Sequence, residues 1–229
     1  MAKTLDSVLQ MVFPNLCVGC GSFLSVGEDI LCDLCDLNLP LYGASSLKEN
    51  AVTKGFWGRV NIVYGSALLV FSEDSLTHKV LHNIKYKSNT DLAHSMGIRL
   101  GRSVLTNKYF DKIDIIVPVP LHPRKELLRG YNQSFLLAKG MSEVLSLPIS
   151  SKALSRTFDS STQTKKNRFE RHKNMANIFE ISDVQNLENK HVLLLDDVLT
   201  TGATLEACII ALEKVEGIKI SVCTLAVVT

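Results

Sequence analysis

The stretch "HVLLLDDVLTTGATL", residues 191 to 205, decides the fold. Val192 to Leu195 is an unbroken apolar run, the pattern of a strand buried on both faces. Two adjacent carboxylates, Asp196 and Asp197, stand at its carboxyl end. Thr200, Thr201, Gly202, Ala203 and Thr204 then lead straight into "ATLEACIIALEKV". That segment has helical spacing, with Leu205, Cys208, Ile209 and Leu212 on one stripe and Gly217 closing it. Backbone N–H groups at a helix N-terminus, freed of bulk by Gly202 and Ala203 and joined by threonine hydroxyls, form a cradle for a phosphate. The acidic pair lies one turn away, where carboxylates can accept hydrogen bonds from the vicinal hydroxyls of a sugar. A ligand with a phosphate at one end and a ribose diol beside it fits both halves. The alternative, two exposed aspartates before a threonine-capped helix, would not require the small residues and the threonine cluster together. Neither G-x-x-x-x-G-K-[ST] nor G-x-G-x-x-G occurs, which excludes a Walker loop and a dinucleotide fingerprint.

Working outward, "IKISVCTLAVV" reads as a final strand and "DKIDIIVPVP" as a buried strand, Ile113 to Val119, ended by prolines. "YNQSFLLAKGMSEVL" has the helical period through Phe135, Ala138, Met141 and Leu145, a stripe that makes Phe135 core, and a short "LPIS" strand follows. Ser75 caps a helix through Lys85, and Asp91 opens another to about Asn107. "GRVNIVYGSALLVF" reads as a pair of strands broken near Gly65, and 156 to 174 as a long polar loop. The polar stretch after Pro40, to about Lys54, reads as a linker. Alternating strands and helices predict an α/β fold with a parallel sheet flanked by helices, with ligands at the carboxyl ends of the strands.

The net charge of +2 hides an asymmetry: from Leu121 to Lys173 there are eleven Lys or Arg against four Asp or Glu. Such a concentration suggests a surface for phosphates or nucleic acid, the alternative being a solvated loop. At the other end, "NLCVGCGSFLSVGEDILCDLC" places Cys17, Cys20, Cys32 and Cys35 as two C-x2-C knuckles, the spacing of a tetrahedral thiolate zinc site. Two disulfides or four unligated buried cysteines are the alternatives. A cytoplasmic chain, the default here, favours metal ligation. Residues 1 to 40 hold one basic residue, Lys3, against Asp6, Glu28, Asp29, Asp33 and Asp36. A surface that acidic repels a phosphate backbone, so a structural or protein-docking ribbon is expected. Leu5, Val8, Leu9 and Val12 share a helical face, so the first residues read as a helix, not a signal peptide, and no apolar run is long enough for a membrane span. Cys208 and Cys223, alone in apolar stretches, read as core.

"VLLLDDVLTTGATL" resembles the phosphoribosyl pyrophosphate (PRPP) motif of type I phosphoribosyltransferases. The resemblance is closer to the ComF-type competence family, also described as amidophosphoribosyltransferase-like, and covers nearly the whole chain. Its marks are "FPNLCVGC" with "CDLC", "IKY" at 84 to 86, "PVPLHPRKELLRGYNQS" at 118 to 134, and Gln163, Glu170, Arg171 and Asn174. Lys166 departs from the family, which tends to leucine there. The resemblance implies a type I phosphoribosyltransferase fold over 55–229 and an N-terminal helix and four-cysteine zinc ribbon over 1–45. It implies PRPP, with Mg²⁺, as ligand: the 5′-phosphate on Thr200 to Thr204 and the ribose hydroxyls on Asp196 and Asp197, the catalytic pair. Arg124, Lys125 and Arg129, in the loop after the Ile113 to Pro120 strand, are the candidates for the pyrophosphate or for nucleic-acid phosphates. Gln163, Arg168, Arg171 and Asn174 belong to a flap over the site. No motif names the nucleophile; His122 and His172 lie near the basic segments and read as surface residues. Two functions are expected. One is a phosphoribosyltransferase-like PRPP binder associated with DNA uptake in natural transformation. The other is a non-catalytic module that binds single-stranded DNA, with the ribbon docking a partner such as a competence helicase. The acceptor and the oligomeric state are not legible.

Overall fold

The computed structural model describes residues 15–44, 46–105, 112–156 and 178–229. The expected N-terminal helix and the segment holding Gln163, Arg168, Arg171, His172 and Asn174 lie outside the described residues. In chain order the elements are α1 (Asp33–Leu37), α2 (Ala51–Lys54), β1 (Gly65–Phe71), α3 (Leu76–Tyr86), α4 (Thr90–Leu105) and β2 (Ile115–Pro118). There follow α5 (Pro123–Arg129), α6 (Gln133–Leu145), β3 (Leu154–Arg156), β4 (Phe179–Ile181), β5 (His191–Leu199), α7 (Ala203–Leu212) and β6 (Lys219–Val228).

Four strands form a parallel sheet in the order β1-β6-β5-β2, and β3 pairs antiparallel with β4. The apolar run of β5 is buried because it lies inside this sheet. Its alternate side chains serve two cores: Leu193 and Leu195 pack on one face, Val192 and Leu194 on the other. The first core takes Val80 and Ile84 from α3, Leu92 and Met96 from α4, and Leu137 and Met141 from α6. The second takes Leu205, Cys208, Ile209 and Leu212 from α7, the stripe expected from the spacing, together with Leu154 and Phe179. Cys208 and Cys223 are fully buried, as expected. Burial pushes both thiols up, that of Cys223 to about 12, so neither is reactive.

Helices α4 and α6 pack closely enough that a Cβ on Gly97 would lie 2.2 Å from the Leu137 carbonyl oxygen, and one on Gly140 2.1 Å from that of His94. Glycine on both helices therefore sets how close α6 lies to the first core. Ser75 caps α3 as expected, its Oγ accepting from the His78 N–H at 3.2 Å.

Three local expectations are corrected. Residues 58 to 64 do not form a first strand; β1 alone, beginning at Gly65, joins the sheet. "LPIS" contributes only a bridge between Ile149 and Ile116, because β2 is a short edge strand. The stretch read as a linker is packed instead. Leu47, Asn50, Val52 and Thr53 are buried, Asn50 closes a capping box on α2, and its amide donates to the Gly65 carbonyl at 2.9 Å. The four-cysteine segment also packs on the body. Cys17, Leu31, Cys35 and Leu39 join the first core, Lys79 of α3 donates to the Gly19 carbonyl at 2.7 Å, and Arg99 of α4 pairs with Asp36.

Candidate functional site

Asp196 and Asp197 stand near the carboxyl end of β5, and successive residues of a strand point to opposite sides. Asp197 is 6% exposed, and a carboxylate so enclosed must be compensated. Its Oδ2 accepts from the Lys85 ammonium at 3.0 Å and from Gln133 Nε2 at 3.0 Å. Asp196 Oδ1 accepts from Ser134 Oγ at 3.0 Å and from the Asp197 N–H at 2.9 Å. Both compensating side chains of α6 sit in its first turn, where Asn132 fixes the helix start. The Asn132 Oδ1 accepts from the N–H groups of Ser134 and Phe135, and its Nδ2 donates to the Val119 carbonyl at the end of β2 at 3.0 Å. Burial, and then the charge of Asp197, push the Asp196 carboxyl up to about 7.

The turn that follows is shaped by Gly202, the N-cap of α7, at φ 77°, a left-handed conformation that disfavours a side chain. Gly202 offers no capping side chain, and the Ala203 N–H makes only a long contact to Thr201 Oγ1 at 3.5 Å, so the start of α7 can turn its N–H groups to an anion. They border a hollow of about 40 Å³ lined by Asp196 and Val198 to Leu205, larger than the roughly 10–15 Å³ that one water requires. Thr200, Thr201 and Thr204 are exposed beside it. Arg59 holds the loop from behind: Nη1 pairs with Glu206 at 2.8 Å, Nη2 donates to the Thr201 carbonyl at 3.1 Å and to that of Gly55, and the guanidinium lies 5.8 Å from the Phe56 ring centre. Thus Asp196, Asp197 and Thr200 to Thr204 meet at one end of the sheet.

The basic segment differs from expectation. Arg124, Lys125 and Arg129 lie on helix α5, not in a loop, and Arg129 sits 5.4 Å over the ring of Tyr86. The Tyr131 hydroxyl donates to the Ile84 carbonyl, so the segment between α5 and α6 is tied to the last turn of α3 beside Lys85. His122 is not a surface residue. It is 9% exposed and caps α5, its Nδ1 accepting from the Arg124 N–H at 3.2 Å. Phe135 is not core. It is half-buried beneath Lys139, on a separate cavity of about 500 Å³ between β2, α5 and β3.

Sequence reasoning assigned no role to Lys85, Gln133, Ser134 or Arg59. The first three lay in "IKY" and "YNQS", noticed as marks, but nothing local to those motifs says that they face residues 196 and 197. Arg59 carried no signal.

The four cysteines converge, their sulfurs all within 4.8 Å of one another. Cys20 and Cys32 sulfurs are 3.7 Å apart, close to the roughly 3.8 Å edge of a tetrahedron with ~2.3 Å metal–sulfur bonds and far beyond a disulfide's ~2.05 Å. Cys17 Sγ accepts from the N–H groups of Gly19 and Cys32, each at 3.3 Å, as a bound thiolate does. The donor set therefore fits a four-coordinate metal.

A parallel sheet carrying an acidic pair and a threonine-glycine turn at one strand end defines a type I phosphoribosyltransferase-like protein, and residues 131–227 match the phosphoribosyl transferase domain family. Within that class the relatives it matches are competence and DNA-utilization proteins. It is 31% identical over 128 residues to DNA utilization protein YhgH of Escherichia coli (strain K12), covering 55% of this chain and 56% of that one. It is 36% identical over 93 residues to Competence protein F of Haemophilus influenzae, covering 40% and 41%. It is 28% identical over 157 residues to Competence protein ComFC of Bacillus subtilis, covering 68% and 62%. The chain thus spans about half the length of the E. coli and H. influenzae relatives it matches.

The raised Asp196 carboxyl gives a pH prediction. Its folded value of about 7 exceeds the ordinary 3.8, so ionisation destabilises the ligand-free fold as pH rises through that interval. The melting temperature of the ligand-free protein should therefore fall between about pH 5 and pH 8, and Asp196→Asn should remove that part of the fall; equal pH profiles for the two proteins would dismiss the raised carboxyl.

Proposed function

We propose that the chain binds the 5-phosphoribosyl group of PRPP and, given an acceptor nucleophile, transfers it. The observation that carries this reading is the meeting, at the end of β5, of an anion-sized hollow at a helix N-terminus with a compensated acidic pair. The 5′-phosphate takes the N–H groups and hydroxyls of Thr200 to Thr204, and the ribose hydroxyls face the pair Asp196 and Asp197. PRPP arrives with Mg²⁺ as the counter-ion of its pyrophosphate, so the metal belongs to the substrate. Arg124, Lys125 and Arg129 supply positive charge for the leaving pyrophosphate, joined by Arg168 and Arg171, which lie outside the described residues. Positive charge aimed at the departing group stabilises it while the ribosyl centre becomes cation-like.

The cysteine cluster holds a structural Zn²⁺ in this proposal. The zinc ties the ribbon together where Cys17 and Cys35 join the first core, and thiolates kept reduced belong to the cytoplasm. The ribbon's exposed Phe23, Leu34 and Leu37, set among acidic side chains, offer a face for a protein partner such as the competence helicase of a DNA-uptake system.

A second reading, single-stranded DNA binding, draws support from one feature. Tyr86 is 67% exposed with Arg129 over its ring, and Arg124 and Lys125 lie on the same short helix. Exposed aromatics beside cations suit base stacking along a phosphate backbone.

PRPP–Mg²⁺ titrated calorimetrically should bind the wild type at millimolar concentration or below, and an Asp196→Asn/Asp197→Asn double variant at least roughly tenfold more weakly. No binding to wild type would end the PRPP reading. In fluorescence anisotropy with a single-stranded oligonucleotide, Tyr86→Ala/Arg129→Ala should lower affinity about tenfold and flatten the salt dependence. Equal curves for both proteins would dismiss the second reading. Elemental analysis of protein purified without chelator should give about one zinc per chain. Cys17→Ser should lose the metal and lower the melting temperature.

A further inference from the structure

We propose that Lys85 is the built-in counter-cation of the acidic pair, and that with Gln133 it lets the site bind a vicinal diol with no divalent cation at the hydroxyls. The inference rests on the reading of the site as a ribose 5-phosphate clamp. Adjacent carboxylates repel, and many sites of this kind recruit a divalent metal with its own shell of oxygen ligands. Here the Lys85 ammonium lies 3.0 Å from Asp197 Oδ2, with only 20% of its side chain exposed. It fills the cation's electrostatic place with one covalently attached charge.

Gln133 supplies the second observation. It donates its amide nitrogen to the same Asp197 oxygen at 3.0 Å. An ionised carboxylate only accepts, so the amide orientation is fixed by chemistry and Oε1 must face away. That Oε1 is buried, in a residue only 5% exposed, and meets no donor among the described residues. A buried acceptor left empty is unfavourable, and a sugar hydroxyl is a donor of the right kind. A diol needs two acceptors for its two protons and donors for its oxygen lone pairs. Asp196 and Gln133 Oε1 provide the acceptors. Lys85 has three N–H donors, of which the Asp197 contact uses one. The set is complete without a metal.

The arrangement also separates the tasks of the two aspartates. Asp197, held by Lys85 and Gln133, orients the groups around it. Asp196, held among the described residues through Oδ1, keeps its other oxygen for the ligand.

The test is calorimetric titration of the full chain with ribose 5-phosphate, which lacks pyrophosphate and so does not itself require Mg²⁺, once in chelator and once in millimolar Mg²⁺. Wild-type affinity should be the same in both within about twofold. Lys85→Gln should lose roughly tenfold or more in chelator and recover part of it with Mg²⁺. Lys85→Arg, which keeps the charge, should stay within about threefold of wild type. Gln133→Leu should weaken binding about tenfold with or without the metal. Wild type that binds only with Mg²⁺, or Lys85→Gln that matches wild type in chelator, overturns the role of Lys85 while the clamp stands. Wild type that binds under neither condition overturns the clamp and this inference together. The wild-type comparison decides the matter even where Lys85→Gln does not fold.

Discussion

The contact between Lys85 and Asp197 joins the last turn of α3 to the carboxyl end of β5, and the arrangement of the site depends on it. An aspartate as enclosed as Asp197 is tolerable only with charge and hydrogen-bond partners, and these come from two helices on one side of the sheet. That requirement fixes where α3 ends and at what depth the first turn of α6 lies. The depth is reached because Gly97 and Gly140 let α4 and α6 approach until backbone meets backbone. Bulk at either position would push away the helix that carries Gln133 and Ser134.

The phosphate loop is supported from the opposite core. Gly202 takes a left-handed turn, and the guanidinium of Arg59 spans Gly55, Thr201 and Glu206 behind it. The segment 50 to 59, which has the composition of a linker, is therefore the floor of the loop. One half of the site leans on the first core and the other half on the second. The two halves meet on β5, which carries the acidic pair, leads into the loop and, like the other strands of the sheet, has side chains in both cores.

Much of this was legible in the chain itself. The run from Val192 to Leu195 could only be a doubly buried strand, and the spacing of Leu205, Cys208, Ile209 and Leu212 could only be a helix face, because both patterns are local. The acidic pair, the small-residue turn and the paired C-x2-C knuckles were readable for the same reason. Lys85, Gln133, Ser134 and Arg59 were not, since each acts on a residue between 62 and 147 positions away. His122 and Phe135 were misjudged because burial depends on what packs from elsewhere: the histidine turned inward as a helix cap, and the phenylalanine faces a cavity.

What the sequence by itself determined is the kind of chemistry at the strand end: two carboxylates, a donor-rich turn, and four thiols at metal spacing. Periodicity and adjacency encode these, and they survive in any arrangement of the surrounding elements. What only the tertiary structure decided is the state of that chemistry. Whether Asp196 is ionised near neutrality, which aspartate is already paired, and which acceptor waits for a donor depend on burial and on neighbours brought in from α3 and α6. Electrostatic energy depends on distance and desolvation in space, which the order of residues along the chain does not record.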